Sequence, residues 1–290
     1  MNEAELILND DGSIYHLGIR PQECAPLIIT VGDPERVPMV SQFFDRIDFT
    51  NQKREICIHT GTLGNRAISV ISTGMGTDNI DIVINELDAL FTLDLSTGKP
   101  LKSPTPLTLI RLGTSGAIQA DIELDSLIVS ESAIGFDNLM HYYDPTMCEH
   151  PLAVSLHTHL GMPKKFNHPY VVKGDSTLIK DCVKLGMRKG IIATNPGFYA
   201  PQGRHLRTKN VFPYDINELV NFNHDNVVIT NFDMETAGIY GLSQVLGHRA
   251  ISISAILANR FHGTFSEQPD KAVHNMINRV VTAIKNELFL

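Results

Sequence analysis

The chain has 290 residues, of which 43% are hydrophobic and 19% charged, and 32 acidic residues against 24 basic ones give a net charge of −8. This composition excludes a disordered, collagen-like or coiled-coil protein and suits one large globular domain or two small ones. The acidic balance argues against a general nucleic-acid binder, which needs a basic surface. Four cysteines without a C-x-x-C pair indicate reduced thiols, so we expect a cytoplasmic protein. The sequence shows neither a signal-peptide pattern nor an apolar run of membrane-spanning length.

Short apolar runs rich in β-branched residues recur along the chain, and most end at Gly, Asp or Asn. Runs of this kind are too continuous for a half-exposed strand and predict strands that are buried on both faces. The runs cover residues 27–31, 56–59, 67–72, 107–112, 126–130, 170–172, 191–194, 227–230 and 250–257.

Apolar stripes at helical spacing lie between several of these strands. They predict a helix that follows Asp78 as its N-cap, one from about Ser176, one from Met234 to Gly247, and one just past Pro269. Strands that alternate with helices predict a single α/β domain over residues 1–290. Two closely spaced runs around residues 61–65 add a hairpin, so we expect a mixed, partly barrel-like central sheet flanked by helices.

Glycines and arginines follow three of the predicted strands. Gly32 and Arg36 come after the first strand, the segment 73–76 after another, and the segment 113–116 after the strand that contains Arg111. Glycine lets backbone N–H groups approach an anion, and arginine supplies a bidentate fork for phosphate. The strand ends therefore predict a phosphate site, although each motif taken alone is also compatible with an ordinary turn or a surface ion pair.

Several familiar nucleotide and hydrolase motifs are missing. The sequence contains neither G-x-G-x-x-G nor the phosphate loop G-x-x-x-x-G-K-[ST], which disfavours dinucleotide binding and ATP-type chemistry. The segment 113–117 does not match the G-x-S-x-G elbow, which argues against a serine hydrolase.

Taken in order, eight stretches resemble the nucleoside phosphorylase family, specifically its uridine phosphorylase branch. They are YHLG at 15–18, GDPERV at 32–37, KRE at 53–55, STGMG at 72–76, RLGTSGAIQ at 111–119, FYAPQGR at 198–204, NFDMET at 231–236 and NR at 259–260. The resemblance implies a pentosyltransferase of pyrimidine salvage or catabolism, which splits uridine reversibly with inorganic phosphate into uracil and ribose 1-phosphate. It implies no cofactor, because phosphate is a co-substrate.

The implied reaction needs no nucleophilic side chain, because phosphate itself attacks ribose C1′. The transition state resembles an oxocarbenium ion, as in other glycosyl transfers, so catalysis consists of positioning and electrostatics.

The resemblance also assigns site residues. Phosphate binding is implied for Gly32, Arg36, Arg54, Arg111, Gly113 and Thr114, and catalysis for Arg111, Arg204 and Glu235. Nucleoside binding is implied for His16, Thr114, Ser115, Gly116, Phe198, Gln202, Arg204, Asp233, Met234 and Glu235. His16 and Arg54 match residues that act from a neighbouring subunit, which implies at least a homodimer, or a hexamer built as a trimer of dimers.

Gln202 and Arg204 carry the preference for a pyrimidine. A uracil edge presents carbonyl oxygens and an N3–H; glutamine offers a donor and an acceptor, and arginine offers donors only. This pair suits uracil and can stabilise the negative charge of the departing base.

Three features depart from the family pattern. Asp233 stands where the family has a longer glutamate. Some relatives hold a monovalent cation between subunits through a glutamate like Glu55, but Asn79 replaces a serine there and argues against that site. The loop 94–106 and the His-rich stretch 141–168 are longer than in the pattern. The histidine spacing matches no standard zinc motif, so we expect solvated or capping histidines and no metal.

Two alternatives remain open at this stage. One is a purine nucleoside phosphorylase or a nucleosidase of the same superfamily; Asn259 and Arg260 stand where purine enzymes place an aspartate, and a nucleosidase would not need the phosphate arginines. The other is a non-catalytic nucleoside sensor on the same fold, which the change at Asp233 leaves open.

Overall fold

The computed structural model describes residues 4–163, 166–207 and 216–289. Its strands are β1 Leu27–Val31, β2 Arg46–Lys53, β3 Ile56–Leu63, β4 Arg66–Ser72, β5 Leu93–Asp94, β6 Lys99–Pro100, β7 Thr108–Ala117, β8 Leu127–Gly135, β9 Tyr170–Lys173, β10 Arg188–Thr194, β11 Asn231–Asp233, β12 Arg249–Asn259 and β13 Thr264–Phe265. Its α-helices are α1 Arg36–Ser41, α2 Thr77–Thr92, α3 Pro151–His159, α4 Ser176–Lys184, α5 Ile216–Asn221, α6 Thr236–Leu246 and α7 Pro269–Lys285.

The central sheet closes on itself at one end. Strands β7, β11, β10, β8 and β12 pair in a ring, because β12 pairs with both β8 and β7. From β7 the sheet continues through β1, β4 and β3 to β2. Parallel and antiparallel pairs both occur, so the mixed and partly barrel-like sheet is confirmed.

Helices cover both faces of the sheet, which explains the continuous apolar runs. Alternate residues of β1 point in opposite directions: Ile29 and Val31 pack into the cluster that includes α4 and α7, whereas Ile28 packs into the cluster that includes α2 and α6. All five residues of β1 are buried, as expected for a parallel strand between two helical layers.

Four parallel strands set the position of the site. Strand β1 pairs in parallel with β4 and β7, and β7 pairs in parallel with β12. Their carboxyl ends therefore meet at one edge of the sheet, and the segments that follow them come together there.

The structure corrects two local predictions. The apolar run 227–230 forms no named strand; β11 begins one residue later, at Asn231, where the backbone pairs with β7 and β10. Asp78 does not cap its helix, because α2 begins at Thr77 and its N-cap is Gly76, which adopts φ +91°. A left-handed glycine ends the preceding turn and starts the helix earlier than the side-chain pattern indicates.

Strands with a polar or mixed pattern were not predicted. β2 is largely exposed and lacks an apolar run, and β7 continues through Gly113–Ala117, beyond the predicted end at residue 112. The loop 94–106 contains the two-stranded hairpin of β5 and β6.

No helix in the described ranges is long and apolar enough to span a bilayer. All four cysteines are free thiols, and three of them are buried.

Candidate active site

A cavity of about 1100 Å³ opens at the edge where the parallel strands end. It contains every site residue implied by the sequence except His16 and Arg54. Residues more than 200 positions apart, such as Gly32 and Glu235, line the same space.

Arg111 lies deep in this cavity between two carboxylates. Its guanidinium pairs with Glu235 through Nη2, and Nη1 lies 3.4 Å from Asp233 Oδ2. Burial lowers the pKa of Arg111, but the neighbouring charges of Asp233 and Glu235 outweigh burial and the pKa is raised overall. Nη1 is buried and has no hydrogen-bond partner among the described residues. A buried donor of this kind is unusual, and the anionic group nearest to it is the Asp233 carboxylate.

Gly113 makes room for this guanidinium. Residues 111 and 113 point to the same face of β7, and a Cβ built on Gly113 would lie 1.9 Å from Arg111 Nη1. At Gly32, by contrast, the nearest atom to such a Cβ is the Gly74 carbonyl oxygen at 3.6 Å. The two glycines therefore differ: the Arg111 guanidinium requires Gly113, whereas a Cβ at Gly32 would make only an ordinary van der Waals contact.

Arg36 is the second cation of this end of the cavity. It donates a hydrogen bond to the Leu112 carbonyl at 3.3 Å. Burial and then the like charge of Arg111 lower its pKa, and Asp33 opposes them. Two guanidiniums close enough to repel each other gain most from an anion placed between them.

Glu235 is held on its other side by a helix N-terminus. Its Oε1 accepts a hydrogen bond from the Gly76 N–H at 2.8 Å, immediately before α2 begins at Thr77. The positive end of the α2 dipole and the Arg111 guanidinium therefore each contact one oxygen of this carboxylate.

Gln202, Arg204 and Phe198, to which the family resemblance assigns the base, line the same cavity. Gln202 is buried, and its Oε1 accepts a hydrogen bond from Arg204 Nη1 at 2.5 Å. Arg204 also donates to the Phe198 carbonyl at 2.7 Å, and its guanidinium lies 3.8 Å from the centre of the Phe198 ring. Burial lowers the pKa of Arg204 despite an opposing influence from Tyr199. The Arg204 contact orients the Gln202 amide.

Arg260 lines the cavity and was not among the predicted site residues. It donates a hydrogen bond to the Gln202 carbonyl and lies over the Phe232 ring at 5.6 Å. Arg260 directly follows β12, and residues that follow strands were the ones expected to line a site. Asn259 is occupied structurally: it donates to the carbonyls of Gln119 and Ile122 and accepts from two backbone N–H groups.

Glu55 and Asn79 flank Gly74 at the cavity wall. A Cβ on Gly74 would lie 2.3 Å from Asn79 Nδ2 and 3.1 Å from Glu55 Cγ. Asn79 therefore fills the space beside Glu55 in which the family resemblance places a smaller serine.

His16 and Arg54 lie outside the cavity of their own chain. Glu86, from the middle of α2, accepts hydrogen bonds from the backbone N–H groups of His16 and Leu17 and contacts His16 Nδ1 at 2.5 Å. Arg54 is exposed and adopts φ +56° in the turn between β2 and β3, next to Glu55. Their predicted action on a neighbouring subunit stays a prediction.

The His-rich stretch gathers side chains without a metal arrangement. His157 and His168 stack with ring centres 3.8 Å apart, and His141 Nε2 lies 3.5 Å from Cys148 Sγ. In the part of the chain that the structure describes, no three His, Cys, Asp or Glu residues are placed to hold a metal ion.

Comparisons with known proteins agree on one family. The family model for the phosphorylase superfamily matches residues 26–287. A uridine phosphorylase of Thermococcus kodakarensis is 32% identical over 270 residues, which are 92% of this chain and 85% of the relative. A DeoD-type purine nucleoside phosphorylase of Listeria welshimeri is 26% identical over 90% of this chain and 95% of its own length. The crystal structure of a Trypanosoma brucei nucleoside phosphorylase, which shows uridine phosphorylase activity, superposes with a TM-score of 0.86 at 29% identity, covering 97% of this chain and 99% of that one.

Proposed function

Because this chain belongs to the phosphorylase superfamily, we propose that it is a uridine phosphorylase, a pentosyltransferase that converts uridine and phosphate reversibly to uracil and ribose 1-phosphate. The observation that carries the proposal is a single cavity lined by Arg36 and Arg111 together with Gln202 and Arg204. The relatives from Thermococcus kodakarensis and Trypanosoma brucei support the same activity.

The phosphate is held at the arginine end of the cavity. Arg36 and Arg111 donate to its oxygens, and the backbone at Gly32, Gly113 and Thr114 completes the cradle. One phosphate oxygen then forms a bond to ribose C1′ while the bond from C1′ to uracil N1 breaks and its electron pair leaves with the base. Fixed donors hold the nucleophile in line at no further cost of reorganisation.

Glu235 acts on the ribose. Its carboxylate accepts hydrogen bonds from the sugar hydroxyls and stabilises the positive charge that develops on the ring, and Met234 packs beside the sugar. Because Gly76 and Arg111 already hold both carboxylate oxygens, Glu235 is preorganised before the nucleoside arrives.

Gln202 and Arg204 hold the base. Uracil leaves as an anion, and donors from these two side chains stabilise the charge on its carbonyl oxygens. Phe198, which carries the Arg204 guanidinium on one side, flanks the pyrimidine ring.

The charge of the cavity supports a site shared between subunits. Its lining includes four arginines and four carboxylates, namely Arg36, Arg111, Arg204 and Arg260 against Asp33, Glu55, Asp233 and Glu235. A phosphate dianion would leave this set negative, so a further cation from a second chain would favour its binding. We assign that role to Arg54 of a second copy, and contact with the 5′-hydroxyl to its His16, in a homodimer or a trimer of dimers. Four free thiols suit an enzyme of the cytoplasm.

Phosphate-dependent release of uracil tests the proposal. Purified protein is incubated with uridine, inosine, adenosine or thymidine, with and without inorganic phosphate, and the free base is separated by chromatography. We expect release from uridine only when phosphate is present. Release without phosphate would identify a nucleosidase, faster release from inosine or adenosine a purine enzyme, and no release from any nucleoside would refute the proposal.

A further inference from the structure

The carboxylate of Asp233 accepts hydrogen bonds from neighbouring protein groups. Oδ1 accepts a hydrogen bond from Thr194 Oγ1 at 2.7 Å, and Oδ2 accepts from the Thr236 N–H at 2.9 Å and from the Thr236 hydroxyl. Oδ2 also faces Arg111 Nη1 at 3.4 Å, and the residue is only 5% exposed. A carboxylate with these four partners has little capacity left for a substrate hydroxyl.

The same hydrogen bonds fix the bend that leads into α6. Thr236 is the first residue of α6, and its N-cap Glu235 makes no side-chain capping bond. Asp233 supplies the missing acceptor from three residues before Thr236, and Thr194 Oγ1 accepts from the Ala237 N–H at 3.0 Å. The network continues from Thr236 to Ser252 Oγ at 2.8 Å.

Arg111 depends on this network for its place. The guanidinium is buried, and its carboxylate partners are Asp233 and Glu235, which the bend brings to its two ends. A carboxylate locked by Thr194 and Thr236 holds Nη1 in one position, as supporting hydrogen bonds do for the groups that act on a substrate.

Resting on the proposed function, we infer that Asp233 is a positioning residue, which acts on the reaction through Arg111 and does not contact the nucleoside. The shorter side chain in place of the family's glutamate fits this role, because an aspartate reaches the N–H group three residues ahead in the same manner as a helix cap. Thr194 and Thr236 become part of the machinery that orients the phosphate-binding arginine.

Thr194→Val tests the inference without altering a residue that lines the cavity or the charge of Asp233. Valine matches the shape of threonine but removes the hydroxyl, so Asp233 is loosened and Arg111 with it. We expect KM for phosphate to rise about fivefold, with kcat falling less, and Thr194→Ser to restore KM to within about twofold of the wild type. A role confined to stability would lower the melting temperature and leave KM for phosphate unchanged.

A double-mutant cycle with Arg111→Lys separates action through Arg111 from direct contact. We expect Thr194→Val to change KM for phosphate less than about twofold when residue 111 is lysine, because the group that it positions is gone. The same fivefold rise in both backgrounds, or no rise in either, would overturn the inference.

Asp233→Asn provides a second cycle if Thr194→Val does not fold. The double variant with Arg111→Lys should then match Arg111→Lys alone within about twofold in kcat/KM, whereas multiplied losses would indicate direct contact with substrate. If the wild type releases no uracil, the proposed function fails by itself, and the same variants are compared by calorimetric binding of inorganic phosphate.

Discussion

The two ends of the cavity are built in different ways. At the phosphate end, Arg111, Asp233 and Glu235 are each 5–6% exposed and are fixed by strands and by the N-terminus of α2. At the base end, Gln202 and Arg204 come from a short 3₁₀ turn and the residues after it, and Phe198 is 50% exposed. Under the proposed function, phosphate and ribose are bound by residues on regular elements, and the base is bound by residues on a loop.

This difference separates stability from specificity. A change at the phosphate end leaves buried charges without partners, and therefore affects folding and activity together. Arg204 at the base end is only partly buried, so a change there affects substrate choice while the fold persists.

Gly113→Ala should have the largest effect. Its Cβ would fall 1.9 Å from Arg111 Nη1, so the guanidinium has to leave its place between Asp233 and Glu235. We expect kcat/KM for phosphate to fall about a thousandfold, as for loss of a preorganised charged donor, with a lower melting temperature. Steady-state kinetics and thermal unfolding measure both.

Its control is Gly113→Ala combined with Arg111→Ala. Once the guanidinium is absent, the added methyl group has nothing to displace, and the double variant should be as active as Arg111→Ala alone. A further large loss in the double variant would show that Gly113 serves the backbone or phosphate directly.

Arg204→Ala should reduce activity on uridine without affecting the fold or phosphate binding. Arg204 orients the Gln202 amide and donates toward the departing base, so we expect kcat/KM for uridine to fall about a hundredfold, in the range found for single transition-state donors. Because the side chain is not among the buried residues, the melting temperature should stay within a few degrees of the wild type.

The comparison fails if Arg204→Ala unfolds the protein as readily as Gly113→Ala does. Phosphate binding gives a second measurement: calorimetric affinity for inorganic phosphate should be nearly unchanged in Arg204→Ala and strongly reduced in Gly113→Ala.

Arg54→Ala tests whether the phosphate end extends across a subunit boundary. The family resemblance assigns Arg54 to the phosphate of a neighbouring subunit, so we expect KM for phosphate to rise about thirtyfold while the fold is kept, because Arg54 is exposed. Mixing this variant with inactive Arg111→Ala subunits should restore part of the activity, since a mixed pair contains one intact site.

Complementation of that kind is impossible if each site uses only its own chain. No recovery after mixing under conditions that exchange subunits, together with a single-chain mass by light scattering, would contradict the shared site.

Part of the cavity lining could be predicted from the sequence and part could not, for physical reasons. Buried parallel strands have continuous apolar sequences. The sequence alone therefore predicts that the segments beginning at Gly32 and Gly113 lie at one edge of the sheet. The sequence does not predict the hydrogen bond from Thr194 to Asp233. This bond joins β10 to the bend before α6, and only the fold brings these residues together. The sequence motif at 259–260 does not predict that Arg260 lines the cavity. Its side chain reaches the Gln202 carbonyl because closure of the barrel brings these distant segments together.

Glu86→Gln should have the smallest effect and tests the support of a residue outside the cavity. Glu86 accepts a hydrogen bond from the backbone N–H of His16 and contacts Nδ1 of the His16 ring. The other ring nitrogen of His16, Nε2, is therefore the one available to a neighbouring molecule. A neutral amide keeps one acceptor but loses the charge-assisted bond to the ring, so we expect about a fivefold fall in kcat/KM for uridine, in keeping with loss of one supporting hydrogen bond.

The control substrate is 5′-deoxyuridine, which lacks the hydroxyl assigned to His16. For this substrate, kcat/KM of the variant should be within about twofold of the wild type. Equal losses with both nucleosides would show that Glu86 stabilises the subunit as a whole, and that the division between rigid and adaptable parts of the site does not extend to His16.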